Sequence, residues 1–216
     1  MSTVPSPKFP APRLILASAS PRRRQLLEEA GYEFEVVAPA DDVECGVCSK
    51  RGSAGLVAEL AFRKALAIRQ QLLTDPPPAT RHPPSTTILA ADTVAECDGM
   101  ILGKPRDEAA ARAMLRQLSG RHHRVLTGVC LWPIAATEPT IKVAITILRM
   151  DSLPDAAIDD YLATDQWEGK AGAFGYQDRL GWVHIEAGSE SNVVSLPLEQ
   201  VRLMLAAIGI VPLPAE

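Results

Sequence analysis

Leu14-Ile15-Leu16-Ala17-Ser18-Ala19-Ser20-Pro21-Arg22-Arg23-Arg24-Gln25-Leu26-Leu27 carries the fold. Leu14 to Ala17 is a short apolar run and reads as a buried strand. Ser20-Pro21 is a helix start, with serine as N-cap and proline at the first helical position. The helix is expected to reach about Ala30, where Gly31 stops it. A strand that turns directly into a helix is the unit from which α/β domains are built.

Working outward, Phe34 to Val37 reads as a second short strand, and Ser53 to Leu73 as a long helix. Thr87 to Val94 is a strand leading to a hairpin signal at Asp98-Gly99. Met100 to Leu102 returns. Asp107 caps a helix to Leu118, ended by Gly120. Strands follow at about 123–132 and 141–149, then a helix from Pro154 to Ala163. A glycine-rich loop spans 168–175, a strand 182–186, and Pro197 opens a last helix. Helices alternate with strands, yet hairpins also occur. The expectation is therefore an α/β fold with a mixed twisted sheet flanked by helices.

The chain has 216 residues, enough for one domain of 13–216 with a sizeable core. Residues 1–12 hold four prolines and read as a poorly ordered arm. The proline-rich stretch 74–87 reads as a surface loop, because strand pattern resumes at once beyond it. No apolar run is long enough for a membrane helix. The N-terminus lacks a signal-peptide pattern, and a cytoplasmic location is expected. Cys45 and Cys48 form a C-x-x-C with no second pair for zinc, and the following residues read as loop, so they are taken as incidental. The net charge of −4 argues against a nucleic-acid surface.

Local charge points elsewhere. Ser18, Ser20 and Arg22 to Arg24 converge on a helix N-terminus, whose free N–H groups and dipole favour an anion. Guanidinium forks suit phosphate, and a basic first turn is otherwise opposed by the dipole. Asp92 closes the apolar run Ile88 to Ala91, where a carboxylate is costly unless paired or bound. Lys64 lies inside the apolar stripe Val57, Leu60, Ala61, Ala65, Ile68 and Leu72; it either snorkels to water or meets an anion in a cleft. Gly103-Lys104-Pro105-Arg106 places a lysine in a turn, without Walker spacing. In the loop from Gly169 to Gln177, glycines allow close backbone approach, Lys170 adds charge, and Gln177 can read an amide edge. His122 and His123 neighbour each other on a strand and face opposite ways, so they are no metal pair.

Together these segments resemble the Maf nucleoside-triphosphate pyrophosphatases. The matching stretches are LASASPRRRQLL, the acidic VE around Glu44, FRKALA, AADT, ILGKP, LSGRHHRVLTGV, WEGKAGAFGYQ and SNVVSLPL, in family order from about Arg13 to the last helix. The resemblance implies an inosine-triphosphate-pyrophosphatase-like fold, two-lobed with a central cleft. It implies hydrolysis of a nucleoside triphosphate to the monophosphate and pyrophosphate with Mg²⁺ or Mn²⁺, and a possible homodimer. Asp92, Glu44 and Lys64 would be catalytic, with Asp92 and Glu44 holding the metal. Ser18, Ser20, Arg22, Arg23, Thr93, Lys104, Lys170 and Gln177 would bind substrate. Arg22, Thr93 and Gln177 match the family's dTTP/UTP branch rather than its 7-methyl-GTP branch. A nucleotide-binding regulator of cell division with little catalysis is the competing class; carboxylates beside the phosphate site oppose it. The chain departs from the family at Glu190, usually tyrosine, and at Ser195, usually glycine.

Overall fold

The computed structural model describes residues 13–40, 51–74 and 85–214. The arm 1–12, Glu44, Cys45, Cys48 and residues 75–84 of the proline-rich stretch lie outside the described residues. The elements run β1 (Leu14–Ala17), α1 (Pro21–Glu29), β2 (Glu35–Val36), α2 (Gly52–Thr74), β3 (Thr87–Cys97), β4 (Met100–Leu102), α3 (Glu108–Leu118), β5 (His122–Pro133), β6 (Thr140–Met150), α4 (Asp155–Leu162), β7 (Val183–Ala187), α5 (Glu190–Val194) and α6 (Leu198–Ala206).

One seven-stranded mixed sheet organises them, in the order β2-β1-β3-β5-β6-β7, with β4 paired to β3. β1 pairs parallel with β2 and β3, and every other pairing is antiparallel. Asp98 and Gly99 both take positive φ, the backbone of the tight turn joining β3 to β4. Ser20 caps α1 and Asp107 caps α3, the latter accepting from Ala110 N at 2.7 Å.

The long strands β3 and β5 carry two separate packs of side chains on one face. At the β1 end, Leu14, Leu16, Leu89, Ala91 and Leu131 pack with Leu27 of α1 and with Val201 and Leu205 of α6. Further along, Ala95, Cys97, Val125, Leu148 and Met150 pack with Leu118 of α3. The opposite face takes α2, whose Ala61, Ala65 and Ile68 meet Ile15, Ala17, Ile88 and Ala90.

A gap in strand pairing opens between the two packs. β1 ends at Ala17, opposite Ala90, and β4 joins β3 only from Ala95 onward. On that side the β3 backbone between these points has no strand neighbour. Asp92 and Thr93 sit there, in the middle of β3 rather than at a strand end. Ligands in open α/β sheets gather where one neighbouring strand stops.

Two sequence expectations change. The segment between β7 and α6 contains a short helix, α5, capped by Ser189 through Asn192 N at 3.3 Å; one turn is too short to show a hydrophobic period. The ends of the 74–87 stretch belong to elements, since α2 includes Thr74 and β3 begins at Thr87.

Candidate active site

The gap in the sheet is the floor of a cleft of about 800 Å³. Ser18, Ser20, Arg22, Arg23, Lys64, Asp92, Thr93, Lys104, Lys170 and Gln177 all line it. Glu44 lies outside the described residues.

The floor is a buried ion pair. Lys64 Nζ lies 2.6 Å from Asp92 Oδ1, with side chains 7% and 11% exposed. Lys64 reaches it because the buried stripe of α2 lies against the even-numbered face of β3. That approach depends on Gly128, which pairs with Asp92 across β3 and β5. A Cβ at Gly128 would stand 2.2 Å from the Val57 carbonyl oxygen of α2. A glycine inside an apolar strand run is the signal that marks such a close approach.

The wall at the start of α1 is tied together by Arg23. Its Nε donates to the Ser195 carbonyl at 3.1 Å, Nη1 to Ser18 Oγ at 3.4 Å and Nη2 to Thr93 Oγ1 at 3.2 Å. Thr93 Oγ1 also lies 2.9 Å from Thr127 Oγ1 and 3.3 Å from the Ser195 carbonyl. Arg23 is buried. It cross-links α1, β3 and the turn after α5 while facing the cleft. Arg22 is exposed, with one hydrogen bond to Gln25 at 3.4 Å. The expected convergence of three guanidiniums reduces to two. Arg24 turns away to pair with Glu28 at 2.8 Å, because one residue along a helix rotates a side chain by about 100°.

The opposite rim carries Lys104, exposed and without a hydrogen-bond or ion-pair partner among the described residues, and the glycine-rich turn. Lys170 Nζ is held by both carboxylate oxygens of Asp178, at 2.5 and 2.6 Å. Asp178 also accepts from Tyr161 Oη at 2.8 Å and Gly175 N at 3.3 Å. Burial and the facing Asp178 push the Tyr161 phenol up, so it stays a donor. Lys170 therefore braces this loop and places Gln177 on the cleft wall.

The sequence reading passed over Thr127, Asp178, Gly128 and the Ser195 carbonyl. Their partners are remote in the chain, and only Gly128 left a local trace.

Asp92 gives Oδ1 to Lys64, while Oδ2 has no partner among the described residues. A carboxylate oxygen is a hard donor of the kind that Mg²⁺ or Mn²⁺ takes, so Asp92 Oδ2 fits such an ion. No group of three or more His, Cys, Asp or Glu side chains among the described residues makes a metal site alone. Cys97 and Cys130 are buried and unpaired, and burial pushes the Cys130 thiol up to about 12. No helix of the described residues is long and apolar enough to cross a membrane.

Residues 13–208 match the model of the family described as Maf-like protein. A Rhodopirellula baltica protein named dTTP/UTP pyrophosphatase is 47% identical over 193 residues, covering 89% of this chain and 80% of that one. An Anaeromyxobacter dehalogenans protein with the same name is 41% identical over 209 residues, covering 95% and 98%. Among solved structures, a HAM1 protein from Coxiella burnetii overlays at a TM-score of 0.49 and 16% identity, covering 90% of this chain and 98% of that one.

Proposed function

The chain belongs to the Maf-like protein family, and from that membership and the cleft geometry we propose that it hydrolyses dTTP and UTP to the nucleoside monophosphate and pyrophosphate. The observation that carries the proposal is the buried Lys64–Asp92 pair, set in a gap of the sheet between a helix N-terminus and the exposed Lys104.

The substrate is a strongly charged anion, so the protein's task is electrostatic positioning. The α1 N-terminus, the Ser18 and Ser20 hydroxyls, Arg22 and the cleft side of Arg23 hold phosphate oxygens. Lys104 closes on the same chain from the facing rim. Lys64 fixes Asp92 Oδ1, which leaves Oδ2 to orient the attacking water and take its proton. The water oxygen bonds to the α-phosphorus as the bridge to the β-phosphate breaks, and pyrophosphate leaves. Asp92 and Glu44 would hold a divalent ion with the phosphates, which supplies positive charge to the departing pyrophosphate.

The base preference rests on the residues that match the pyrimidine branch. Thr93 and Gln177 line the same cleft as Arg22, and the named relatives are dTTP/UTP pyrophosphatases. We take the enzyme to work in the cytoplasm, as a homodimer, on free nucleotides; a net charge of −4 suits these better than a polyanion.

The test is a panel of dTTP, UTP, CTP, purine triphosphates and 7-methyl-GTP, with Mg²⁺, Mn²⁺ or a chelator, and with products identified. The expected result is metal-dependent monophosphate and pyrophosphate, fastest from dTTP and UTP. Orthophosphate and a diphosphate would mean attack at the γ-phosphorus and end the proposal.

A further inference from the structure

Four polar groups meet on the cleft wall at the start of α1, and their hydrogens can be followed one by one. Arg23 Nη2 donates to Thr93 Oγ1 at 3.2 Å, and a guanidinium has no lone pair with which to accept. The Ser195 carbonyl only accepts; Arg23 Nε reaches it at 3.1 Å and Thr93 Oγ1 at 3.3 Å. Thr127 Oγ1 lies 2.9 Å from Thr93 Oγ1, directly across from it on β5.

Thr127 fixes the direction of that last bond. It is wholly buried, and its hydroxyl meets no acceptor besides Thr93 Oγ1 among the described residues. A buried O–H without an acceptor is destabilising, so the Thr127 hydrogen goes to Thr93. Thr93 Oγ1 then accepts from both Arg23 and Thr127, and gives its own hydrogen to the Ser195 carbonyl. A hydroxyl has two lone pairs and one hydrogen, and here all are in use.

Ser18 makes the contrast on the same wall. Its Oγ accepts from Ser20 N at 3.1 Å and from Arg23 Nη1 at 3.4 Å, and its hydrogen has no acceptor among the described residues. Ser18 can give that hydrogen to a phosphate oxygen. Thr93 lines the cleft but has none to give. The two threonines instead fix the plane of the Arg23 guanidinium, through the residue that follows Asp92 in the chain.

We propose that Thr127 is a positioning residue for the hydrolysis: through Thr93 it locks Arg23, which presents a fixed cation to the phosphates. This deepens the pyrophosphatase reading and rests on it. A loosened guanidinium keeps its charge and still attracts a triphosphate, so binding survives. Alignment of the α-phosphorus with the water at Asp92 does not, and a small misplacement is costly to the chemical step.

The test compares two substitutions. Thr127→Val keeps the shape and loses the hydroxyl; Thr127→Ser keeps the hydroxyl and loses a methyl group. Both should lose some Tm, one from a missing hydrogen bond and the other from a cavity. Only Thr127→Val should lose kcat for dTTP and UTP, by ~10-fold or more, with KM within ~3-fold of wild type. Thr127→Ser should keep kcat within ~3-fold. In an Arg23→Met background, Thr127→Val should cost less than ~3-fold in further activity, because the group it positions is gone.

Unchanged kcat in a folded Thr127→Val overturns the proposal. So does a serine variant that loses as much kcat as the valine variant, which would mean a packing role. So does a full Thr127→Val loss on top of Arg23→Met. Should the valine variant not fold, Thr127→Ala and Thr127→Ser differ only by the hydroxyl, and equal kcat in those two overturns the proposal. A wild type that releases no pyrophosphate from any nucleotide would instead overturn the pyrophosphatase reading itself.

Discussion

Lys64 Nζ and Asp92 Oδ1 stand 2.6 Å apart between residues separated by 28 positions, both nearly shut off from solvent. Neither charge would be stable there alone, and the pair opens onto the cleft through Asp92 Oδ2. The site is thereby preorganised, with one carboxylate oxygen occupied and one available.

Asp92→Asn removes the proton acceptor but keeps the shape and a hydrogen-bond acceptor for Lys64. Turnover should fall by ~10³-fold or more with the far-UV circular dichroism of a folded chain, while Tm falls because buried Lys64 loses the Asp92 charge. Lys64→Met leaves a buried carboxylate unpaired, and should cost about 3 kcal/mol in chemical denaturation as well as turnover.

Two adjacent arginines should part company. Arg22 is exposed and weakly held, so Arg22→Ala should raise KM for triphosphates with Tm unchanged. Arg23 ties three elements together through Ser18, Thr93 and Ser195, so Arg23→Ala should lower both activity and Tm. Equal thermal effects of the two substitutions would contradict the assigned contacts.

Gly128→Ala places a methyl group into the α2 backbone at Val57. Either the helix or the strand must move, at a cost of about 1–3 kcal/mol. Because α2 carries Lys64, kcat should fall together with stability, although Gly128 itself touches no substrate.

Ser195 adopts φ 116°, ψ 4°, a left-handed conformation that favours glycine, and its Oγ is buried without a partner. Its carbonyl, not its side chain, receives Arg23 and Thr93. Ser195→Gly should therefore raise stability by about 1 kcal/mol with activity kept. Urea titration alongside a turnover assay checks both halves.

Stability should fall in two stages on acidification. Burial lowers the His123 pKa in the folded chain from its ordinary 6.5. Below that value the unfolded chain binds the extra proton, so stability decreases as pH drops through this window. Glu96 is held below the usual carboxylate range by the Ser53 hydroxyl and then by Arg124, against its burial. The stability it contributes is present above its ordinary value of 4.5 and is lost as pH falls further. Tm followed from pH 8 to pH 4 should show the upper stage in wild type and not in His123→Leu.

Much of the scaffold was legible because its signals are local. Ser20-Pro21, Asp98-Gly99 and Asp107 each act on their own turn, and the structure uses them as read. The α2 stripe fixed which side chains face the sheet, and it included Lys64 before any partner for it was in view. Elsewhere the local signal failed. α5 is one turn long and shows no period. Asp92 closes an apolar run within a strand whose pattern continues to Val94, and β3 does continue past it; what stops near it is β1, which no local signal shows.

The sequence by itself determined the alternation of strands and helices and the residue types able to meet a triphosphate. Backbone sterics, capping and hydrophobic period operate within a few residues, so they survive in a linear reading. Tertiary structure alone decided that Lys64 meets Asp92, that Arg23 braces the wall while Arg24 leaves it, and that His123 is buried at the cleft. Each of these depends on how far apart two packed elements lie. Here that distance is set by side-chain volume between remote positions, above all by the missing Cβ at Gly128.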